Sequence, residues 1–181
     1  WWANLHPKQD IEQINTLICD LKLSNAKEVI LISTVDVYDP PTDGDENTRL
    51  SCDIHSYGKN RLYVENQLKV MFKDVYILRL QGIISTNLQK NILFDLKNKN
   101  CLDMLNIDSS FQWYPIYRLI NDIGIVLKNN IRLINLSCSP IFNNVIINLA
   151  SLKKNEINLF NNNTNSTHYD IKSIYDKIFD G

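Results

Sequence analysis

Val29-Ile-Leu-Ile-Ser-Thr-Val-Asp-Val-Tyr38 and His55-Ser-Tyr-Gly-Lys-Asn-Arg-Leu-Tyr-Val-Glu65 are the two stretches whose reading decides the fold of this chain. The first opens on four apolar residues and runs into hydroxyl side chains. It reads as a strand buried on both faces, the kind found inside a parallel sheet. The second starts a helix on which Tyr57 and Arg61 share a face, because positions i and i+4 lie one above the other.

Upstream, residues 9–24 carry Ile11, Ile14, Leu17, Ile18 and Leu21 at helical spacing, and Ser24-Asn25 ends the pattern. Downstream, Asp39 to Glu46 holds two prolines and Gly44 and reads as a loop. A helix over 57–72 has Leu62, Leu68 and Met71 on its apolar side, and Val75 to Leu80 is a second short strand. Helix, strand, loop, helix, strand is the alternation of an α/β fold with a parallel sheet.

Past Gly82 the pattern loosens. Ile92 to Leu96 can form a helix facing Leu102 to Leu105, and Phe111-Gln-Trp-Tyr-Pro115 reads as a short aromatic strand. Leu119 to Leu127 is expected to be a helix and Ile131 to Leu136 a strand, and Ser139-Pro140 leads into a helix or turn near Ile141 to Ile147. Residues 161–167 form a polar tract expected on the surface. Asp170 to Phe179 places Ile171, Ile174, Tyr175 and Ile178 at helical spacing. There is no internal repeat.

Composition excludes several classes. The 181 residues suffice for one domain or part of a larger one. A formal net charge of −1 provides no field that draws the chain to nucleic acid or an anionic membrane. No apolar run approaches the roughly 18 residues of a spanning helix, and no basic-then-apolar leader opens the chain. Cys19, Cys52, Cys101 and Cys138 are scattered, without Cys-x-x-Cys and without histidines at zinc-ligand spacing. Free thiols in a reducing cytoplasm are the expectation, with no metal. The chain opens on Trp1-Trp2 and closes on Gly181 directly after a helical pattern, so both ends read as cut.

At Ile32-Ser-Thr-Val-Asp-Val-Tyr38, Tyr57-Gly-Lys-Asn-Arg61 and Leu78-Arg-Leu-Gln-Gly82 the chain resembles the extended short-chain dehydrogenase/reductase family. This is the group of nucleotide-sugar epimerases, dehydratases and reductases, and the resemblance covers residues 9–136. It implies a partial Rossmann-type parallel sheet flanked by helices, with part of a smaller C-terminal substrate lobe. Residues 1–84 then belong to the dinucleotide-binding part, with its first βαβ units missing. Residues 85–181 belong to the substrate lobe, with elements returning to the sheet. NAD or NADP is the implied cofactor and a nucleotide-linked sugar the implied partner. Pairing of two copies through the Tyr57–Met71 helix is implied as well.

Residue by residue, the resemblance places Thr34 at the catalytic Ser or Thr and Ser33 at its neighbour beside the nicotinamide. Tyr57 falls on the catalytic tyrosine, and Arg61 stands at the family's lysine. Gln81 and Gly82 fall on the segment that passes the nicotinamide. Phe111 to Tyr114 resembles the strand leading to the sugar lobe, and Asn135 a recurring residue of the following strand. Two departures stand out. The glycine-rich turn that seats a pyrophosphate on a helix N-terminus is absent from the 181 residues. The lysine is an arginine, and Lys59, two positions from Tyr57, points to another face of the helix.

The implied chemistry is hydride transfer with the carbinol proton passed to a phenol. A free phenol has a pKa of about 10, and lowering it by about 3 units takes roughly 4 kcal/mol of preference for phenolate. A fixed cation such as Arg61 and the positive nicotinamide are the sources. Arg61 cannot relay a proton, since guanidinium stays charged. Thr34 would share the substrate hydroxyl. Asp36 is either a substrate contact or a solvated carboxylate. His55 is a loop or cap residue or a catalytic one. Phe111, Trp113, Tyr114 and Tyr117 are core or a sugar-nucleotide platform. A dehydratase of this family has an acidic pair beside the catalytic Ser or Thr, and Val35-Asp36 does not match it, which favours a reductase or epimerase. The competing readings are a non-catalytic nucleotide or partner binder and a fragment inactive by itself.

Overall fold

Pro7 presets the backbone for a helix start, and α2 (Pro7–Lys22) begins there, after the single turn α1 (Trp2–Leu5). The computed structural model describes residues 2–51, 53–87, 91–149 and 165–179. Ile14 and Ile18 of α2 are buried, with Ile11 and Leu21 half-covered beside them, whereas Leu17 lies off the stripe and is 52% exposed. Strand β1 (Glu28–Thr34) follows, then a turn of 3-10 helix at Val35–Val37, α3 (Ser56–Met71) and β2 (Asp74–Leu80). These agree with the sequence reading to within two residues at most ends.

The central sheet is parallel. β2 lies in the middle, between β1 and β6 (Leu133–Leu136). Thr34 pairs with Leu80, and Leu80 with Leu136, so the three strands end at one level. Successive side chains of β2 alternate between the faces, as the pleat requires. Val75 and Ile77 meet Ile14, Ile18, Val64 and Leu68 of α2 and α3. Tyr76, Leu78 and Leu80 meet Val126 of α5 (Leu119–Lys128) together with Ile134 and Leu136. Ile77, Leu78 and Val126 are completely buried, and each such side chain contributes about 1.5–3 kcal/mol of burial free energy. The outer side of β1 pairs with no strand among the described residues, and its Ile30 and Ile32 are 39% and 42% exposed.

The rest of the chain builds a smaller body from very short strands. β3 (Gly82–Ile84) runs parallel to β5 (Trp113–Pro115), and β4 (Ser110–Phe111) antiparallel to β7 (Ile141–Phe142). α4 (Ile92–Asn98) and α6 (Asn143–Leu149) close a core of Ile92, Leu96, Leu102, Trp113, Ile146 and Ile147. The single strand expected over Phe111–Pro115 is split at Gln112, whose side chain is 2% exposed. The polar tract 161–167 lies partly outside the described residues.

Gln112 explains the larger departure from the sequence reading, at the C-terminus. Helix was expected over Asp170–Phe179, but only α7 (Asp176–Phe179) forms. Asp170 is instead bridged to Thr42, and Ile171 is completely buried against Val35, Val37 and Tyr38. The Gln112 amide grips that residue's backbone: Ile171 N donates to Oε1 at 2.7 Å and Nε2 donates to Ile171 O at 2.9 Å. Burial and long-range bonds here outweigh local periodicity. Gln112→Ala leaves both backbone groups unpaired, at about 1–3 kcal/mol each. Hydrogen exchange at the Ile171 amide is expected to lose its protection; unchanged protection would show that the grip is dispensable.

Candidate active site

Thr34 is the last residue of β1 and caps the 3-10 turn that follows. Its hydroxyl accepts from Asp36 N at 3.2 Å and donates to Asp36 Oδ2 at 3.2 Å. Helix α3 starts hard against this turn. His55 is its N-cap, with Nδ1 accepting from Gly58 N at 3.2 Å, as the cap alternative expects. A Cβ on Gly58 would run into the Asp36 carbonyl oxygen and sit 3.0 Å from Ile54 Cδ1. Only glycine permits that approach, and it sets the first turn of α3, which carries Tyr57, against the turn that follows β1. Gly58→Ala is expected to destabilise by about 1–3 kcal/mol through overpacking, despite the helix preference for alanine of about 0.5–1 kcal/mol. A denaturation curve showing equal or greater stability would refute the steric reading.

The Tyr57 ring is half-buried and lies parallel to the His55 imidazole, with centroids 6.2 Å apart. Arg61 covers the ring face, its guanidinium carbon 4.9 Å from the centroid. That guanidinium has a partner the sequence did not announce. Its Nη2 donates to Asp10 Oδ1 at 2.7 Å, and Asn60 holds the other oxygen of the same buried carboxylate at 2.8 Å. Arg61 therefore ties α3 to α2, with its charge answered by Asp10, and it stands over the ring face. Lys59 makes an exposed pair with Asp53.

Ser33 points to the opposite face of β1 and donates to Glu65 Oε1 at 2.6 Å. It belongs to a buried network that sequence reasoning missed. Arg79 donates to both Glu65 oxygens, at 2.9 and 2.6 Å, and to the Tyr38 hydroxyl at 2.8 Å. Tyr38 in turn donates to the Asp45 carbonyl, and the Asn135 amide donates to Tyr38 and to the Lys172 carbonyl. Burial works against the Arg79 charge, but the Glu65 hydrogen bonds and charge outweigh it and hold its pKa above the ordinary value. Burial also raises the Tyr38 phenol, although Arg79 and Asn135 pull it down. The available signal was Arg79 itself, a charge inside the apolar run of β2 that requires a partner.

Gln81 and Gly82 lie at the tip of β2. Gln81 Oε1 accepts from Cys138 N at 3.2 Å, and its Nε2 is buried without a partner among the described residues. Gly82 faces the Trp113 ring, where an added Cβ would sit 3.0 Å away. Trp113 itself is 6% exposed and packs in the second core. Phe111 is half-buried against the Tyr169 ring, with centroids 5.4 Å apart. Tyr114 is buried and donates to Asp122 Oδ2 at 2.7 Å; burial first, then Asp122, holds its phenol far above the ordinary range. Tyr117 is 84% exposed and belongs to neither core. Asp36 is half-buried, and its Oδ1 accepts from the Tyr169 hydroxyl at 2.8 Å. Thr34, Asp36 and Tyr169 are thus joined by hydrogen bonds, and Tyr57 stands on the adjoining first turn of α3 under Arg61, while Ser33 and Trp113 turn into the core. A cleft of about 490 Å³ opens elsewhere, between α5, the end of β6 and the C-terminal segment; Trp113, Tyr114 and Asn135 line it, but Thr34, Asp36, Tyr57 and Arg61 do not. No cluster of three metal-ligating side chains occurs among the described residues, and no described helix is long and apolar enough to cross a membrane.

No family model matches the chain, and no curated protein matches it. Solved structures do. A UDP-galactose 4-epimerase superposes with a TM-score of 0.67 at 11% identity, over 90% of this chain and 59% of its own. The dTDP-glucose 4,6-dehydratase DesIV from Streptomyces venezuelae, solved with NAD and TYD bound, gives 0.68 at 14% identity, over 94% and 59%. The UDP-N-acetylglucosamine 4-epimerase from Methanobrevibacter ruminantium, in complex with UDP-N-acetylmuramic acid, gives 0.67 at 15%, over 97% and 65%. The likeness shows the fold: an α/β domain with a parallel sheet flanked by helices. The chain spans about 60% of the length of these structures.

Proposed function

We propose that this chain is part of a nicotinamide-dependent enzyme of the extended short-chain dehydrogenase/reductase type, acting on a carbinol of a nucleotide-linked sugar. Residues 1–84 would serve its dinucleotide-binding part and 85–181 its substrate lobe. The observation that carries the reading is the close approach of the first turn of α3, which bears Tyr57, to the turn after β1, where only glycine at 58 clears the Asp36 carbonyl. The motif order and the shared fold support it.

The strand tips fit the nicotinamide end of NAD or NADP. Gln81 Nε2 is a buried donor lacking an acceptor among the described residues, one residue beyond the Leu80 that pairs with Thr34, and a carboxamide carries such an acceptor. When bound, the cofactor supplies the hydride acceptor. Thr34 would hold the substrate hydroxyl and Tyr57 would take its proton. Arg61 would contribute a cation at the ring face, tempered by Asp10.

The test uses the full-length protein with NAD or NADP and a panel of UDP- and dTDP-hexoses, read as reduced-nicotinamide absorbance and as epimerised or reduced product. Binding of neither dinucleotide would overturn the reading. Binding without turnover would select a second one, a non-catalytic nucleotide binder, which the commitment of Arg61 to Asp10 favours. Two copies would pair through the α3 helix and its neighbour α2, where Leu17, Tyr63 and Val70 are exposed. Sedimentation of the full-length protein decides that point.

A further inference from the structure

Tyr169 reaches the site from the far end of the chain, and its backbone is fixed on both sides. Its own N donates to Ser110 O at 3.0 Å, and the next amide, Asp170 N, donates to Pro41 O at 2.8 Å. The ring leans on Phe111. The hydroxyl is thereby delivered to Asp36 Oδ1 at 2.8 Å, the ordinary length for such a bond. Asp36 is held from the other side as well, by Gly58 against its carbonyl. Its second oxygen, Oδ2, stands 3.2 Å from the Thr34 hydroxyl, beyond the usual range for an O–H donor. One carboxylate thus serves two hydroxyls, tightly for Tyr169 and loosely for Thr34. Burial, then Asp36, hold the Tyr169 phenol well above the ordinary range, so it stays a donor at working pH.

We infer that Tyr169 is a positioning residue of the site: by holding Asp36 it keeps the bond from the Thr34 hydroxyl to that carboxylate long, so that the hydroxyl can turn to a substrate oxygen. The inference rests on the reading of Thr34 and Tyr57 given above. Asp36 is then a restrained competitor for the Thr34 proton. Without the Tyr169 hydroxyl its charge has one neighbouring hydroxyl to satisfy it instead of two, and a charge-assisted bond to Thr34 would shorten.

Tyr169→Phe keeps the ring and removes only the hydroxyl. The first readout needs no substrate: the Thr34 hydroxyl proton, followed by NMR in the full-length protein, is expected to move downfield and exchange more slowly. An unchanged resonance overturns the inference. The second readout is turnover of UDP-glucose and dTDP-glucose with NAD. Tyr169→Phe is expected to lower kcat about 10-fold with KM unchanged, a loss confined to the transition state. Adding Asp36→Ala removes the competitor and is expected to raise kcat above that of Tyr169→Phe alone. A merely structural role predicts a further loss in the double variant, and that result also overturns the inference. The two levels fail separately. If Tyr57→Phe abolishes turnover while Tyr169→Phe leaves it and the Thr34 resonance intact, only the positioning role falls. If neither sugar nucleotide is turned over and neither dinucleotide binds, the enzyme reading falls, and the NMR measurement still decides the Asp36 competition.

Discussion

Replacing Glu65 by alanine is expected to lower the unfolding free energy by about 3–5 kcal/mol, the range seen when one partner of a buried ion pair is removed. Glu65 is completely buried and Arg79 is 2% exposed. The variant leaves a guanidinium at the centre of the sheet with only the Tyr38 oxygen to meet it, and leaves Ser33 without its acceptor. The loss comes from the stranded charge more than from the attraction itself. A paired replacement, Glu65→Leu with Arg79→Met, is therefore expected to recover most of the stability. Urea unfolding measures both, provided the slope against denaturant stays constant. A loss below about 1 kcal/mol for Glu65→Ala would mean that water reaches Arg79 and that the network is less closed than its exposure indicates.

Tyr57→Phe is expected to reduce turnover of the full-length enzyme by about 100- to 10,000-fold, the usual contribution of a positioned acid or base. Phenylalanine keeps the ring between His55 and Arg61, so substrate affinity and folding should hardly change. The effect should appear in kcat and kcat/KM together, the signature of an interaction made only in the transition state. Turnover equal to that of the parent would remove Tyr57 from the chemistry.

How much of this was readable from the sequence depends on how local the cause is. Helices α2 and α3 and strands β1 and β2 declare themselves through periodicity within the segment, and each was located. Of the smaller body, α4 and α6 were anticipated near Ile92 to Leu96 and Ile141 to Ile147, but its strands were read only as one run over Phe111 to Pro115, because they are two or three residues long and owe their existence to distant partners, as in the pairing of Ser110 with Phe142. The helical spacing after Asp170 was real but local, and the burial of Ile171 under Val35 and Val37 overrode it. Thr34, Tyr57 and Asp36 were legible as motif positions, although the steric reason for Gly58 exists only once the helix meets the turn. Arg61 was legible as a cation but not as the partner of Asp10, which lies 51 positions away. Tyr169 gave no signal, since it joins Asp36 across 133 residues.

The outer edge of β1, which pairs with no strand among the described residues, and the half-exposed Ile30 and Ile32 on that strand bear on how this polypeptide behaves when handled alone. A bare parallel strand with unpaired amides and carbonyls is a template for other strands, and its nearest source is another copy of the same chain. Turbidity or oligomers seen with these 181 residues would then report on that open flank, and not on the chemistry at the opposite end of the strand.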